Sequence, residues 1–220
     1  MKILILGGTK EAAELAEKLV REGHDVTSSL AGRTKEPKPI AGKLRTGGFG
    51  GVNGLADFLK THQFDKLIDA THPFAKQISE NAKLAAGNIA IEFEVRTREP
   101  WQRQPGDIWH EVASLEDARN MLQPQARVLL ALGSQYIDLF KTRADVFFLV
   151  RMVDEPDEQL QLPNHELLIG KPSTDWQEEA NMLKANGITH IICRNSGGTG
   201  AYAKVEAARS LGLPVVMVQR

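Results

Sequence analysis

The sequence predicts an α/β protein with two domains, each built on a mainly parallel sheet. Short apolar runs alternate with amphipathic segments of helical period along most of the 220 residues. A strand, a glycine turn and a helix start follow one another twice, at Gly7-Gly8-Thr9 and at 195–200. The alternation stops once, where arginines and prolines lie without period, so we expect one domain at 1–95 and a second at 96–220.

The first domain is predicted to have four strands and three helices. Strands are expected at 3–6, 25–30, 66–70 and 89–95, and helices at 12–20, 55–61 and 74–86. Apolar residues in the first helix recur at helical spacing, while opposite charges four residues apart occupy its polar side. The glycine- and proline-rich stretch 31–51 is expected to be a long binding loop.

The second domain repeats the alternation. Strands are expected at 108–112, 127–132, 146–150, 191–192 and 215–218. Helices are expected after Ser114, through Phe140, from a cap at Ser173 or Thr174 to Ala185, and from 201 to a stop at Gly212. The acidic stretch that ends at Glu166 is expected to be irregular. Because strands and helices alternate in both halves, both sheets should be parallel with right-handed crossovers.

Composition and charge exclude several classes of function. With 27 basic and 28 acidic residues the net charge is −1, so we expect no nucleic-acid or membrane partner. No apolar run is long enough to span a bilayer, and none resembles a signal peptide. The single cysteine, Cys193, rules out an internal disulfide and is typical of a reducing compartment. We therefore expect a cytoplasmic protein.

The first glycine turn is a candidate dinucleotide site. Gly7, Gly8, Thr9, Lys10 and Glu11 lie where the first strand of a Rossmann-like sheet passes into its helix. Unpaired N–H groups and the helix dipole at such a turn favour a pyrophosphate. The full G-x-G-x-x-G spacing is absent, so a plain strand-to-helix turn is the alternative.

The end of the second strand favours NADPH over NADH. An NAD site usually has an acidic residue there, whereas this chain continues through Arg33 and Thr34. An arginine beside a hydroxyl suits a 2′-phosphate, although a solvated surface arginine is the alternative. Gly47 and Gly48, in the long loop, are candidates for covering the cofactor.

The end of the third strand is predicted to lie beside the nicotinamide. Thr71, His72, Pro73 and Phe74 follow that strand and precede a helix. His72 is a candidate proton donor or ring contact. The alternative is a histidine that only hydrogen-bonds within its own loop.

The second glycine turn is predicted to bind carboxylates or phosphates. It offers backbone donors, hydroxyls and cations through Arg194, Asn195, Ser196, Gly197, Gly198 and Lys204. Trp101 would add a flat aromatic surface, and Ser134 begins the helix after another strand. Lysine does not follow the glycines at P-loop spacing, so an ATPase is not indicated.

Other chemistry is not indicated. The six histidines and Cys193 show no metal-ligand spacing, so we expect no metal. Gly133-Ser134 lacks the nucleophile-elbow pattern. A short-chain reductase is disfavoured, since Tyr136 and Tyr202 are not followed four residues later by lysine.

The chain resembles the precorrin-6A reductases of cobalamin biosynthesis, including the cobalt-precorrin-6A form. The likeness runs nearly end to end through these segments: 7–11, 31–33, 47–50, 69–75, 99–101, 195–198 with Lys204, and 214–217. It implies an NADPH-binding Rossmann-like domain and a second α/β domain, with an anionic tetrapyrrole bound in a cleft between them. It also implies hydride transfer to one double bond of the macrocycle.

The resemblance divides the candidate residues between cofactor and substrate. Residues 7–11, 33–34, 47–48 and 71–74 would bind NADPH, whereas Trp101, Ser134, the second glycine turn and Lys204 would bind the tetrapyrrole. His72 and Lys204 are the candidate proton donors. The family's Arg-Gly-Pro-Phe segment is replaced by Gly170-Lys171-Pro172-Ser173, and its lysine before Asn195 by arginine.

The residues leave two alternatives open. One is a non-catalytic NADP(H)-binding sensor, which would need no polyanion site at the second turn. The other concerns the substrate, which could be metal-free or carry cobalt. A monomer or a small homo-oligomer is expected.

Overall fold

A computed structural model of the protein describes residues 1–32 and 39–220. The chain forms two compact units, Met1–Arg98 and Glu99–Arg220. The division lies close to the predicted one at 95/96.

Unit 1 is a five-stranded parallel sheet with helices. Its elements are β1 (Lys2–Leu6), α1 (Lys10–Arg21), β2 (Asp25–Leu30), β3 (Lys43–Thr46), α2 (Gly51–Thr61), β4 (Lys66–Asp69), α3 (Lys76–Ile89) and β5 (Glu92–Val95). The strand order is β3-β2-β1-β4-β5, which is the Rossmann order 3-2-1-4-5-6 without its sixth strand. The order reverses between β1 and β4, and ligands of such sheets bind at the carboxyl edge of that point.

The residues of β1 show why both faces of this sheet are covered. Leu4 and Leu6 pack with the apolar residues of α2 and α3. Ile3 and Ile5 point the other way and pack with Ala12 and Ala16 of α1. Since side chains alternate along a strand, one apolar run supplies two cores.

Three predictions for unit 1 were wrong in detail. The loop expected at 31–51 contains β3, which the pattern missed because Lys43-Leu44-Arg45-Thr46 is mostly polar and lies at the sheet edge. Helix α2 begins at Gly51, before the predicted residue 55. Residue 89 belongs to α3, and β5 begins only at Glu92.

Unit 2 is a six-stranded parallel sheet in the order β6-β11-β10-β7-β8-β9. Its elements are β6 (Ile108–Val112), α4 (Leu115–Asn120), β7 (Arg127–Ala131), a 3₁₀ helix (Ser134–Phe140), β8 (Phe147–Met152), β9 (His165–Ile169), α5 (Trp176–Ala185), β10 (His190–Arg194), α6 (Ala203–Leu211) and β11 (Pro214–Val218). Strands β7 and β10 are neighbours although far apart in sequence, so the topology reverses between them. The turns after both strands therefore share one edge.

Several predictions for unit 2 were confirmed and others were not. Ser114 caps α4, and Gly212 ends α6 in the left-handed conformation. The predicted helix through Phe140 is present and is a 3₁₀ helix, whereas the stretch expected to be irregular includes the first residues of β9. The cap of α5 is Asp175, whose carboxylate accepts from Gln177 N at 2.8 Å. The predicted helix residue Ala201 precedes α6, in the turn before it.

Candidate cofactor and substrate sites

Thr9 ties together the two loops at the reversal point of unit 1. Its Oγ1 accepts from Ala12 N at 3.1 Å, which caps α1, and donates to Ala70 O at 3.0 Å. Gly7 N donates to Ser29 O at 3.0 Å. The first glycine turn is thus anchored to the ends of both neighbouring strands, β2 and β4.

The turn presents backbone donors at the start of α1. The N–H groups of Gly8, Thr9, Lys10 and Glu11 make no hydrogen bond within the described part of the chain. Gly8 has a φ of +106°, which disfavours any side chain there. Such donors at a helix start match the negative oxygens of a pyrophosphate, so these residues fit a dinucleotide.

The side chains of Lys10 and Glu11 serve different purposes. Lys10 is exposed and pairs with Glu14 at 3.5 Å. The Glu11 carboxylate binds the guanidinium of Arg98 at 3.2 Å. Because a free carboxylate would repel phosphate, Glu11 is better suited to hold Arg98 at the helix start than to contact the cofactor.

Arg45 holds the loop after β3, a contact that the sequence did not predict. Its guanidinium donates to the carbonyls of Gly47 and Gly48 at 2.5 and 2.6 Å, so it fixes the predicted covering loop. Nothing in the sequence distinguishes Arg45 from a surface arginine, because its contact with Ser29 forms only when β3 pairs with β2. The predicted contacts at Arg33 and Thr34 lie outside the described residues.

The loop after β4 is held by Asp69. Its buried carboxylate accepts from Thr71 N at 3.1 Å and from Thr71 Oγ1 at 2.7 Å. His72 Nδ1 accepts from Phe74 N at 3.3 Å across Pro73. An accepting Nδ1 puts the proton of a neutral imidazole on Nε2, so His72 can donate from that nitrogen.

In unit 2, Asn195 is a buried clamp on Trp101. Its Oδ1 accepts from Trp101 N at 2.7 Å and its Nδ2 donates to Trp101 O at 3.0 Å. Trp101 Nε1 donates to Gly198 O at 2.6 Å. Asn195 was predicted to touch the substrate, but it is 2% exposed and both ends of its amide bind Trp101.

Trp101 lines a surface pocket of about 580 Å³ in unit 2. The other lining residues are Gln102, Gln104, Thr174, Gly198, Thr199, Tyr202, Ala203 and Glu206. Tyr202 packs beside Trp101 with ring centroids 5.6 Å apart, and its hydroxyl accepts from Arg209 at 2.6 Å. Arg209 is itself paired with the buried Asp107 at 2.8 Å. The aromatic wall of the pocket is therefore fixed by polar contacts behind it.

Lys204 lies inside the unit and not in the pocket lining. Its side chain is buried, its Nζ donates to Ala201 O at 2.6 Å, and it lies 5.1 Å from the Trp101 ring centroid. Burial lowers the pKa of the ammonium. In this structure Lys204 supports Trp101 and the turn before α6, which differs from the predicted contact with substrate.

The remaining predicted residues lie at the reversal point between β7 and β10. The Arg194 guanidinium lies 4.8 Å from the centroid of Tyr136, which belongs to the 3₁₀ helix that Ser134 begins. Ser134 is exposed and Ser196 is half-buried. The structure thus places Arg194, at the end of β10, beside the 3₁₀ helix that follows β7.

A buried ion pair in unit 2 was also missed. Arg151 of β8 donates to Glu179 of α5 at 2.7 Å, and both side chains are almost fully buried. Glu179 also accepts from Ser173 N at 2.9 Å, so it anchors the segment that departs from the resemblance. The only sequence clue was an arginine near the end of an apolar strand. That clue does not predict a buried ion pair, because its partner Glu179 lies on α5.

Two structural findings bear on other functions. Among the described residues, no cluster of three or more histidine, cysteine, aspartate or glutamate side chains could hold a metal ion. Within the same residues, no helix is both long and apolar enough to cross a membrane.

Comparison with known proteins identifies the family. The model of the family described as Precorrin-6x reductase CbiJ/CobK matches residues 2–220. The chain is 42% identical to the precorrin-6A reductase of Rhodobacter capsulatus over 220 residues, covering 100% of this chain and 88% of that protein. It is 30% identical to the cobalt-precorrin-6A reductase of Priestia megaterium over 237 residues, covering 99% and 90%.

A solved structure gives the same result. The structure titled CobK precorrin-6A reductase superposes with a TM-score of 0.96 at 41% identity, covering 100% of this chain and 88% of that one. With a family match along nearly its whole length, the chain belongs to the precorrin-6x reductase CbiJ/CobK family.

Proposed function

We propose that this protein is an oxidoreductase of cobalamin biosynthesis that reduces one double bond of precorrin-6A with NADPH. The observation that carries the proposal is the 42% identity to a precorrin-6A reductase along the whole chain. The glycine turn at the reversal point of unit 1 supports a nicotinamide cofactor. A cytoplasmic monomer or small homo-oligomer fits this role.

In this proposal unit 1 holds the cofactor. The N–H groups at 8–11 bind the pyrophosphate, with Arg98 nearby on Glu11. Gly47 and Gly48, fixed by Arg45, cover the adenosine half. Thr71, Pro73 and Phe74 border the nicotinamide half. NADPH, when bound, supplies the hydride, and the chain's own residues bind, orient and protonate.

Unit 2 binds the tetrapyrrole. The macrocycle is flat and carries many carboxylates, so it needs both an aromatic surface and donors. Tyr202 and the exposed edge of Trp101 line the pocket and supply the aromatic surface, while Ser134, Arg194 and the backbone at 197–198 supply donors. Asn195 and Lys204 act on the substrate through Trp101.

The comparisons favour the metal-free substrate. Identity is 42% to the precorrin-6A reductase from Rhodobacter capsulatus and 30% to the cobalt-precorrin-6A reductase from Priestia megaterium. We therefore propose precorrin-6A as the substrate and the cobalt form as the alternative.

The test is NADPH oxidation by the purified protein with precorrin-6A or cobalt-precorrin-6A. We expect absorbance loss from NADPH and formation of a dihydro product that is two mass units heavier. Protein that binds NADPH but turns over neither substrate would contradict the reductase proposal. If it also had no affinity for either macrocycle, the NADP(H) sensor would be the better interpretation.

His72 is proposed as the proton donor, and His72→Gln tests it. We expect kcat to fall about 100-fold, because general acid catalysis contributes at least that much in comparable enzymes. The Kd for NADPH should stay within about twofold, since glutamine can still accept from Phe74 N. Equilibrium titration and steady-state rates measure the two effects.

A matched control is His62→Gln, since His62 is an exposed histidine away from the carboxyl edge of the sheet. It ends α2 near the start of β1, where Lys2 Nζ donates to its carbonyl at 2.6 Å. The substitution should leave both values unchanged. An unchanged kcat in His72→Gln would show that the proton comes from another group.

A further inference from the structure

Arg45 lies at the carboxyl edge of unit 1 on the side of β2 and β3. Strand register pairs Ser29 of β2 with Arg45 of β3, one residue before each strand ends. In a sheet of this order, the ribose of the adenosine half lies at the end of the second strand. Strand pairing thus places Arg45 beside Ser29, although the two residues lie far apart in sequence.

The guanidinium is held rigidly. Its Nη1 donates to Ser29 Oγ at 3.2 Å, and its carbon lies 3.8 Å from the centroid of the Phe49 ring and 5.1 Å from that of Phe58. With the bonds to Gly47 and Gly48, three of its five N–H donors are used by described residues. The other two can serve a ligand.

The charge of Arg45 is not neutralised by any carboxylate of the described residues. Its hydrogen-bond partners there are two carbonyls and a hydroxyl, all neutral. Burial slightly disfavours the cation and lowers the pKa of Arg45, yet arginine stays protonated. A fixed, partly buried cation whose partners among the described residues are all neutral is suited to a phosphate.

Ser29 occupies the strand position where an NAD-binding site often has a carboxylate for the ribose hydroxyls. A carboxylate here would pair with Arg45 and repel a 2′-phosphate. We propose that Arg45 contacts the 2′-phosphate and selects NADPH over NADH. This inference rests on the proposed nicotinamide cofactor of unit 1.

The test is Arg45→Gln, with Kd values for NADPH and NADH measured by calorimetry. We expect NADPH affinity to fall about tenfold to 100-fold, because a charge-assisted contact is lost, and NADH affinity to change less than about twofold. An equal loss for both nucleotides would overturn the inference, since it would show that Arg45 acts only on the loop at 47–48.

Lys43→Gln is the matched control. Lys43 lies at the start of the same strand and pairs with Asp25 at 2.9 Å, away from the carboxyl edge. It should leave both Kd values unchanged. Arg33→Gln is measured in parallel, and if it alone removes the preference for NADPH, Arg45 is not the selecting residue.

A second readout separates this inference from the reductase proposal. Adenosine 2′-phosphate should bind the parent more tightly than adenosine 5′-phosphate, and Arg45→Gln should remove that difference. Ser29→Asp, which keeps the arginine but adds a carboxylate beside it, should shift the preference toward NADH. A parent that binds NADPH and NADH equally overturns the inference alone, whereas a parent that binds neither overturns the cofactor proposal as well.

Discussion

Gly197→Ala is expected to destabilise unit 2 by about 3–5 kcal/mol and to abolish tetrapyrrole binding. Gly197 is buried and has a φ of +65°. An added Cβ would overlap the carbonyl oxygen of Glu99 and lie 3.0 Å from its carbon. Backbone cannot move aside as a side chain can, so the strand-to-helix turn and the segment leading to Trp101 would be displaced.

Two glycines of the same turn are controls for Gly197→Ala. Gly198 has a φ of +70° with nothing within 4 Å of an added Cβ, so Gly198→Ala should cost only the strain of about 1 kcal/mol. Gly200 has open space and no positive φ, so Gly200→Ala should be close to neutral. Urea unfolding and tetrapyrrole titration measure the series. Equal stability of all three variants would show that the close approach to Glu99 does not matter.

Glu179→Ala is expected to cost about 3–5 kcal/mol, because it leaves the buried Arg151 without its counter-ion. The Arg151 and Glu179 side chains are 9% and 3% exposed. The substitution also removes the acceptor for Ser173 N, so the segment 170–173 loses its anchor. Unfolding in urea should show the loss, with a lower midpoint at an unchanged slope.

An exposed ion pair provides the control for Glu179→Ala. Lys10 and Glu14 are 68% and 61% exposed, so Glu14→Ala should change stability by less than about 0.5 kcal/mol. The double variant Arg151→Met with Glu179→Leu should recover most of the loss, since no buried charge then lacks a partner. A cost below about 1 kcal/mol for Glu179→Ala would mean that Arg151 finds another partner or reaches water.

The sequence predicted several strands closely, including strands that are not continuously apolar. The strand expected at 25–30 is β2 and that at 108–112 is β6, with the same bounds. Two edge strands were missed: β3 is mostly polar, and β9, which contains Leu167-Leu168-Ile169, directly follows an acidic, proline-containing stretch. The 3₁₀ helix was predicted only as a helix, because short helical patterns do not reveal the hydrogen-bond type.

The candidate site residues also fall into those that local sequence predicted and those that it did not. Gly8, Thr9 and Gly197 were visible because a strand, a glycine and a helix start are local in sequence. Arg45 and Glu179 were not visible, since ordinary charged residues have no local signature and their contacts with Ser29 and Arg151 depend on other strands.

The sequence alone determined two parallel α/β units, their glycine turns and the family to which the chain belongs, because these are carried by local periodicity and by motifs in order. Only the tertiary structure decided which polar residues are buried and what they hold. It turned Asn195 and Lys204 from predicted ligands into supports of Trp101, and it placed Arg45 beside Ser29. The physical reason is that burial and pairing depend on contacts between residues far apart in the chain, which composition and spacing do not encode.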